Sequence, residues 1–411
     1  MTSMTSAVDA DSADSGGAGT ASAEAARSNA VQIVQLAQSV WVRVGMYAVA
    51  VLAACYTGFR LPNLWAVTLQ EVSLQDGFHR RVLVGTVLQP LAAVFGYNYW
   101  FYATVSFLAL AALLTILAVA FVRAPLSGRS ALILIWLLLP TGGFWFNEAG
   151  YLDQFLYLFL LAALWLRHRG RPIGASAVMA FAPFVHELAA LTVLPIFALV
   201  VVVSEDRIWR AVRLLAPAAA TALLVLALPP ASNTAPQRAT ARLQHANFVP
   251  RSDVYSLYQR TLAQSWRLYS IHEVLIFVAP IAALLAAGFW LLHRMDGPTP
   301  GDTWYAQALA VAAIGAPALL AFAGWDAERW GYLTTTNFLV VAWVWWGRAN
   351  RRTRGDWSPA QWVLLTLVVL IMTRTEFSYF DGQAPRIIGW HPFVAFVDSI
   401  RDGSLFRIPQ V

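Results

Sequence analysis

Lysine is absent from this 411-residue sequence, and cysteine occurs only once, at Cys55. A single cysteine excludes a disulfide within one chain and any metal site that needs several thiolates. Charged residues make up 12% of the chain, roughly half of the fraction that is typical of a soluble domain. A chain of this length with so few charges is expected to be surrounded largely by lipid.

The usual signatures of nucleotide and hydrolytic chemistry are also missing. The sequence contains no Walker motif, no GxGxxG before a helix, no HExxH and no GxSxG. These absences argue against an ATPase, a nucleotide-dependent oxidoreductase and the common hydrolases. The net charge of +6 comes from arginines scattered over short loops rather than from a basic stripe, so nucleic acid is not an expected partner.

Long apolar segments are what the chain has in abundance. Hydrophobic residues make up 59% of it, and its 18 tryptophans fit aromatic belts at two membrane interfaces. We predict an all-α, polytopic transmembrane bundle of about eleven spans. The predicted spans are 44–60, 99–122, 131–146, 154–166, 173–185, 187–203, 214–229, 274–293, 303–324, 332–347 and 360–374. We expect residues 1–30 to be a disordered cytoplasmic tail, 31–374 the transmembrane domain and 375–411 an external C-terminal tail.

One further apolar stretch, 83–97, is expected not to cross the membrane. Cytoplasmic loops are enriched in basic residues, and the sequence has four basic loops, at 123–129, 167–171, 207–213 and 348–354. All four fall on the side of the N-terminus only if 83–97 does not span. We therefore predict a juxtamembrane or re-entrant helix within a long first external loop.

The same rule predicts an outward hairpin for 173–203, since basic loops flank it at both ends. Its turn is expected at 183–187. Each arm has about 15 residues, or roughly 22 Å of helix, which is short for a full span. His186 and Glu187 are therefore expected to lie below the outer surface, inside the protein.

The first external loop places a carboxylate beside basic groups, in Asp76, His79, Arg80 and Arg81. Asp76 could act as a general base, and the two arginines could bind a phosphate. A structural interpretation explains the same residues: Asp76 caps the following helix, and the arginines anchor it among lipid headgroups.

A second external loop holds two acids, Glu148 and Asp153, and no basic residue. Two carboxylates five residues apart could share a divalent metal ion or bind a sugar hydroxyl. The alternative is a pair of acids that end helices near the surface. A further charged stretch, 325–330, is interpreted as a salt-bridged loop that satisfies its own charges.

The longest external loop, 230–273, is basic and aromatic. Its cationic residues are Arg238, Arg242, His245, Arg251, Arg260 and Arg267. Such a surface could hold a lipid-linked phosphate and a sugar ring, or it could bind headgroups as an interfacial helix. The candidate substrate-binding residues of the whole chain are His79, Arg80, Arg81, His186, Glu187, Arg251, Arg260 and Arg267.

This layout resembles the GT-C superfamily of membrane glycosyltransferases. The likeness rests on Asp76 ahead of the 83–97 helix and on Glu148 or Asp153 in the next external loop. It implies an enzyme that transfers a sugar, with inversion, from a polyprenyl-phosphate carrier to a glycan, lipid or protein acceptor. The reaction would take place on the external, periplasmic side of a bacterial inner membrane.

The resemblance also implies roles for the candidate catalytic residues Asp76, Glu148 and Asp153. Asp76 would accept the proton of the acceptor hydroxyl, and Arg80, Arg81 or an arginine of 230–273 would stabilise the leaving phosphate. A divalent cation, Mg²⁺ or Mn²⁺, held by Glu148 or Asp153 could assist. We expect Asp76, one of these two acids and an external arginine to line one cavity.

Two other functions are compatible with the sequence. A polysaccharide polymerase or ligase that uses lipid-linked oligosaccharides would also rely on external arginines. A lipid or sugar transporter (a flippase) would instead show paired halves, broken helices and polar residues deep inside its spans. An accessory membrane protein is a further alternative.

Overall fold

The computed structural model describes residues 39–124, 128–228, 234–259, 271–273, 275, 279–296, 303–322, 326–349, 363, 366–367, 378–379 and 383–409. The predicted tail 1–30 lies outside this set, as does almost all of the predicted span 360–374. Within the described residues the chain is all-helical and contains no β-strand beyond one isolated bridge, between Tyr379 and Gln383. The all-α class predicted from the sequence is thereby confirmed for this part of the chain.

The helices differ widely in length along the chain. They are α1 (Val40–Gly58), α2 (Leu64–Glu71), α3 (Val82–Val94), α4 (Tyr99–Arg123), α5 (Gly128–Leu138), α6 (Pro140–Asn147), α7 (Asp153–His168), α8 (Pro172–Val185), α9 (Val193–Ser204), α10 (Ile208–Ala227), α11 (Ala235–Leu243), α12 (Ser252–Gln259), α13 (Ala279–Asp296), α14 (Trp304–Gly315), α15 (Ala327–Ala349) and α16 (Trp390–Arg401). Short 3₁₀ turns cover Leu74–Asp76, Glu187–Ala190, Ala316–Phe322 and Ser404–Phe406, and Ile271–Glu273 forms a single helical turn.

Several of these helices are long and apolar enough to cross a membrane. Five segments meet that description, namely α1, α4, α10, Glu187–Ser204 and Trp304–Phe322. A sixth candidate is the pair Arg129–Leu138 and Pro140–Asn147, which is bent by 60°. The chain thus has the helices of a polytopic membrane protein, while the larger count of about eleven spans stays a prediction. Helices such as α8, with 14 residues, are too short to cross alone.

The first loop leaves α1 and enters α4 at the same end of the bundle. At the opposite end, the Arg43 guanidinium near the start of α1 donates to the carbonyl of Ala124, just after α4. At the near end, the hydroxyl of Tyr99 donates to the carbonyl of Pro62 at 2.6 Å. α1 and α4 are therefore antiparallel neighbours, and α2 and α3 lie in the connection between them.

Local sequence explains how this connection folds. The side chains of Asn63 and Asn98 accept backbone N–H groups at the starts of α2 and α4, both at 2.8 Å, and so act as N-caps. α3 then packs closely on the end of α2, because a Cβ atom at Gly85 would lie 2.0 Å from the carbonyl oxygen of Val72. Only glycine permits this approach.

The buried side chain of Asn337 joins several elements at the centre of the bundle. Asn337, in the middle of α15, accepts a hydrogen bond from the hydroxyl of Tyr157 at 2.6 Å. Its amide donates to the carbonyls of Thr192 and Ala313 at 2.9 and 2.8 Å. Both the oxygen and the amide group of the side chain are thus used in joining α15 to α7, to α14 and to the turn before α9.

We expect the substitution Asn337→Leu to destabilise the fold by about 1–3 kcal/mol, because it leaves one hydroxyl and two carbonyls buried without partners. Unfolding of the purified protein in detergent measures this loss. The control is Thr115→Val, since Thr115 is exposed on α4 and bonds only within its own helix. A loss no larger than that of the control would show that Asn337 does not hold these helices together.

Three helices connect two chemically different ends of the bundle. α7 runs from Asp153 to His168, α15 runs from Ala327 to Ala349, and α8 runs from Pro172 to Val185, one residue before His186. His168 and Gly347 line a cavity that also contains Arg167, whereas Asp153 and Arg329 bond to each other. The 16 residues of α7 separate the two ends by roughly 24 Å.

The described part of the C-terminal region packs on the protein rather than extending away from it. Tyr379 is buried, and its hydroxyl donates to the carbonyl of Pro140 at 3.3 Å. The N–H of Arg386 donates to the carbonyl of Thr57 at the end of α1. The helix α16 was not predicted from the sequence.

Candidate functional site

The carboxylate of Asp76 lies against the guanidinium of Arg242. Nη1 and Nη2 of Arg242 donate to Oδ1 and Oδ2 of Asp76 at 3.0 and 2.9 Å, which is a bidentate pair. Oδ2 also accepts the backbone N–H of Ser73 at 3.1 Å, so Asp76 caps its own 3₁₀ turn rather than the following helix. Both oxygens of this buried carboxylate are therefore engaged.

A second buried carboxylate, Glu71, shares the same arginine. Nε of Arg242 donates to one oxygen of Glu71 at 2.5 Å, and the hydroxyl of Tyr102 donates to the other. Burial raises the pKa of Glu71, although the hydrogen bonds from Tyr102 and Arg242 act in the opposite direction. Arg238, one turn earlier on α11, donates to the carbonyl of Asp76 at 2.7 Å. Two arginines thus fasten α11 to the first loop.

Arg81 joins the first loop to the hairpin turn at Glu187. Its Nε donates to both oxygens of Glu187 at 3.1 and 2.9 Å, and its Nη2 lies 2.5 Å from Oε1. Arg80 also approaches Glu187, with 3.6 Å between Nη1 and Oε1. Arg81 has a left-handed backbone (φ 62°), which costs a non-glycine residue about 1–2 kcal/mol. The pair with Glu187 helps to hold this conformation at the start of α3.

His186 is buried, as predicted from the sequence, and His79 is buried as well. Nδ1 of His186 lies 3.2 Å from both the N–H of Leu188 and an oxygen of Glu187. Nδ1 of His79 donates to the carbonyl of Arg80 at 2.8 Å, and burial lowers the pKa of this imidazole. Burial thus disfavours the charged form of His79 beside the basic pair.

Asp153 is neutralised by an arginine that lies far away in the sequence. Nε of Arg329 donates to Oδ2 of Asp153 at 2.8 Å, and both side chains are buried. Arg329 also contacts Asp326, but at 3.5 Å. The interpretation of 325–330 as a loop that satisfies its own charges is therefore incomplete, since its arginine bonds more closely to the acid of another loop.

Five buried polar atoms around the Glu148–Asp153 loop have no hydrogen-bond partner among the described residues. They are Oδ1 of Asn147, Oε2 of Glu148, Oδ1 of Asp153, Oε1 of Gln154 and Nε2 of His186. The other oxygen of Glu148 accepts the amide of Asn147 at 3.0 Å. Buried polar atoms are rarely left without a partner, and each such group calls for an explanation such as water, an ion or a ligand.

Burial raises the pKa of Glu148 to about 8. The positive charge of Arg329 and the hydrogen bond from Asn147 oppose this shift, and the nearby negative charges of Asp153 and Asp326 reinforce it. A carboxyl group with a pKa close to neutrality can exchange a proton under ordinary conditions, which is the property that a general acid or base needs.

The separate ion pairs belong to one connected region. The amide of Gln70, next to Glu71 on α2, donates to the carbonyl of Gly150 at 2.8 Å. The charge of Arg81 and the charge of Asp153 both act on His186. Asp76, Glu187, Glu148 and Asp153 therefore lie around neighbouring elements at one end of the bundle, and we call this region the acid site.

The sequence candidates divide into three groups. The structure brings Asp76, His79, Arg80, Arg81, Glu148, Asp153, His186 and Glu187 into or beside the acid site. Arg251 instead pairs with Asp253, at 2.6 Å between Nη2 and Oδ2, on a partly exposed surface. Arg260 and Arg267 lie outside the described residues.

Several contributors were not among the residues chosen from the sequence as catalytic or substrate-binding, although Arg238 and Arg242 were recognised as cationic residues of the loop 230–273. These are Glu71, Tyr102, Asn147, Gln154, Arg238, Arg242 and Arg329. The spacing of Arg238 and Arg242, four residues apart on one helical face, was the available signal for two of them. Nothing local in the sequence distinguishes Glu71 or Arg329 from an ordinary charged residue at a helix end.

The donor set of the acid site suits the predicted divalent cation only in part. Orphaned carboxylate and amide oxygens are the ligands that Mg²⁺ or Mn²⁺ prefers. Among the described residues, however, no group of three or more His, Cys, Asp or Glu side chains is arranged to hold a metal ion. Glu148 and Asp153 would be the residues that hold such an ion, and it would act as a Lewis acid toward a leaving phosphate.

Comparison of the chain with models of known protein families, with curated proteins and with solved structures gives no significant match.

Proposed function

We propose that the protein is a membrane-embedded transferase that moves a sugar from a polyprenyl-phosphate donor to an acceptor hydroxyl at the acid site. The observation that carries the proposal is the set of five orphaned polar atoms beside three arginine–carboxylate clusters. A sugar presents many hydroxyl groups, each of which can donate and accept, so it can satisfy both the orphaned oxygens and the imidazole nitrogen. A purely apolar ligand cannot form hydrogen bonds with these atoms.

Glu148 is the proposed general base. Its Oε2 has no partner among the described residues, and its pKa of about 8 suits proton transfer. Asp76 is less well placed for that role, because Arg242 and Ser73 occupy both of its oxygens. We therefore propose Asp76 as the residue that positions Arg242 and α11, and Glu148 as the base.

Arg80 and Arg81 are the proposed phosphate ligands. Both guanidinium groups approach the carboxylate of Glu187, with 3.6 Å from Nη1 of Arg80 and 2.5 Å from Nη2 of Arg81 to Oε1. A phosphate placed beside these two guanidinium groups could accept charge-assisted hydrogen bonds from them. Stabilisation of a leaving phosphate by such groups lowers the barrier of the transfer step.

An apolar cavity below the acid site could receive the lipid part of the donor. Its volume is about 100 Å³, and its walls come from α4, α5, α6, α7 and α15. Trp145 and Tyr157 line it, and the carbonyl of Trp145 accepts the amide of Gln154 from the acid site at 2.9 Å. A short segment of the polyprenyl chain in this cavity would place the phosphate toward the acid site. In this proposal α3 is a juxtamembrane helix, and the acid site faces the external side.

Donor binding tests this assignment. A labelled short-chain polyprenyl-phosphate sugar is titrated into the purified protein in nanodiscs, with the substitution Arg81→Gln compared with Arg401→Gln, whose pair with Asp398 is exposed. We expect Arg81→Gln to weaken binding about tenfold or more, since it removes a charge-assisted contact. Equal affinity for the two variants, or no saturable binding by the wild type, would contradict the proposal.

A transporter of lipid-linked sugars is the second candidate. It is favoured by the 60° break at Pro140 next to the acid site and by the buried run Thr334 to Asn337 inside α15, which are features of transporters. The side chain of Asn337, however, already bonds to Tyr157, Thr192 and Ala313. Its role is therefore to join helices rather than to bind a transported substrate.

A further inference from the structure

A large cavity opens at the end of the bundle opposite the acid site. Its volume is about 970 Å³, and α7, α8, α9, α10 and α15 contribute to its walls. Its charged and titratable lining residues are Arg129, Arg167, His168, Glu205, Arg210 and Arg213. Three of the four basic loops recognised in the sequence thus meet around one space.

The positive charge of this cavity exceeds what its single carboxylate can neutralise. Glu205 accepts a hydrogen bond from Arg167 at 2.7 Å. Arg129 is held by Trp343, because its Nε donates to the carbonyl at 2.9 Å and its guanidinium lies 3.9 Å from the ring centroid. Among the described residues, no carboxylate pairs with Arg210 or Arg213, and both are exposed. Their charges are thus available to an anion.

Apolar side chains accompany these charges. Leu164, Val200 and Leu214 line the cavity, and Ile173 does so with 79% of its surface exposed. Trp209, next to Arg210, is 74% exposed. Further along α10, leucines such as Leu223 are also exposed, which indicates that the outer face of this helix contacts lipid. The cavity therefore combines excess positive charge with an apolar border at a lipid-facing helix.

We propose that this cavity binds the headgroup phosphate of an anionic phospholipid from the adjoining leaflet. Arg210 and Arg213, three residues apart on α10, would both reach the phosphate, since guanidinium groups match its oxygens in a bidentate way. The apolar lining would contact the glycerol backbone and the first methylene groups of the acyl chains. This site is separate from the acid site and does not depend on the proposed transfer reaction.

Lipid-dependent stabilisation tests the proposal. The purified full-length protein in dodecyl maltoside is titrated with dioleoylphosphatidylglycerol, and in a second arm with dioleoylphosphatidylcholine, while the melting temperature is recorded. We expect phosphatidylglycerol to raise the melting temperature in a saturable way and phosphatidylcholine to have little effect. The double variant R210Q/R213Q should weaken the apparent affinity for phosphatidylglycerol about tenfold or more.

Two further variants and one soluble probe make the result specific. R171Q/R207Q removes the same charge from exposed positions at the same end, outside the cavity lining, and should bind as the wild type does. R210K/R213K keeps the charge but loses the bidentate geometry, so its affinity should lie between that of the wild type and that of R210Q/R213Q. Equal affinity of R210Q/R213Q and R171Q/R207Q would overturn the proposal. Equal stabilisation by glycerol phosphate would overturn the lipid assignment in favour of a soluble phosphate ester.

Discussion

Replacement of Arg242 by glutamine is expected to destabilise the protein by about 3–5 kcal/mol, because it removes one partner of a buried ion-pair cluster. The side chains of Glu71 and Asp76 are 1% and 0% exposed, and Arg242 bonds to both. Without the guanidinium, two carboxylates are left buried close together. Each must then be protonated or drawn to the surface, which opens the contact between α11 and the first loop.

The measurement is reversible unfolding in detergent, with Arg251→Gln as the control. Arg251 lies in the same segment and also forms a bidentate pair, but that pair is 36% and 47% exposed. Its loss should cost no more than about 1 kcal/mol. The neutral triple variant E71Q/D76N/R242Q should recover much of the stability, because no buried charge is then left unpaired. Similar losses for R242Q and R251Q would show that Arg242 does not hold this part of the fold.

The substitution Glu148→Gln is expected to lower the turnover rate of sugar transfer by about 10²–10⁴-fold, which is the usual contribution of a general base. The shape of the side chain is nearly unchanged, so the effect reports the loss of the proton acceptor. Asp76→Asn provides the comparison, since Asp76 is the base that the sequence resemblance implies. If Asp76→Asn lowers the rate and Glu148→Gln does not, the assignment of the base is reversed.

The pH dependence gives a second test of Glu148. The rate of the wild type should rise with pH toward about 8, because the carboxyl group must lose its proton to act as a base. The free energy of unfolding should instead fall as the pH rises. A folded-state pKa above the ordinary value of 4.5 contributes stability that is fully present below pH 4.5 and is lost as the pH rises through about 8. Glu148→Gln should remove this loss, and an unchanged slope would contradict the raised pKa.

The sequence predicted those parts of the site that depend on local patterns. Charge asymmetry and the short apolar run at 83–97 predicted a helix that does not span within a long first loop. The structure has α3 in the connection between the antiparallel α1 and α4, and its position relative to the membrane stays a prediction. Flanking basic loops likewise predicted the turn at His186 and its burial. Both inferences use charges and lengths, which a single sequence displays directly.

The partners of the acids could not be predicted in this way. Arg242 is 166 residues from Asp76, and Arg329 is 176 residues from Asp153. Many arginines of the chain could satisfy either acid equally well, because helical periodicity fixes which residues share a face but not which helices meet. The choice of Arg251, Arg260 and Arg267 as candidate substrate-binding residues therefore missed the arginines that bond to the first loop.

The most direct measurement of the central claim follows the fate of a lipid-linked sugar in liposomes that contain the wild-type protein. A polyprenyl-phosphate sugar labelled in the sugar is supplied with candidate acceptors, and both its chemical form and its sidedness are determined. We expect free polyprenyl phosphate and a new glycoside with inverted anomeric configuration, both formed about 10²–10⁴-fold more slowly with Glu148→Gln. A donor that crosses the bilayer intact and is never cleaved would contradict the transferase and identify a transporter instead.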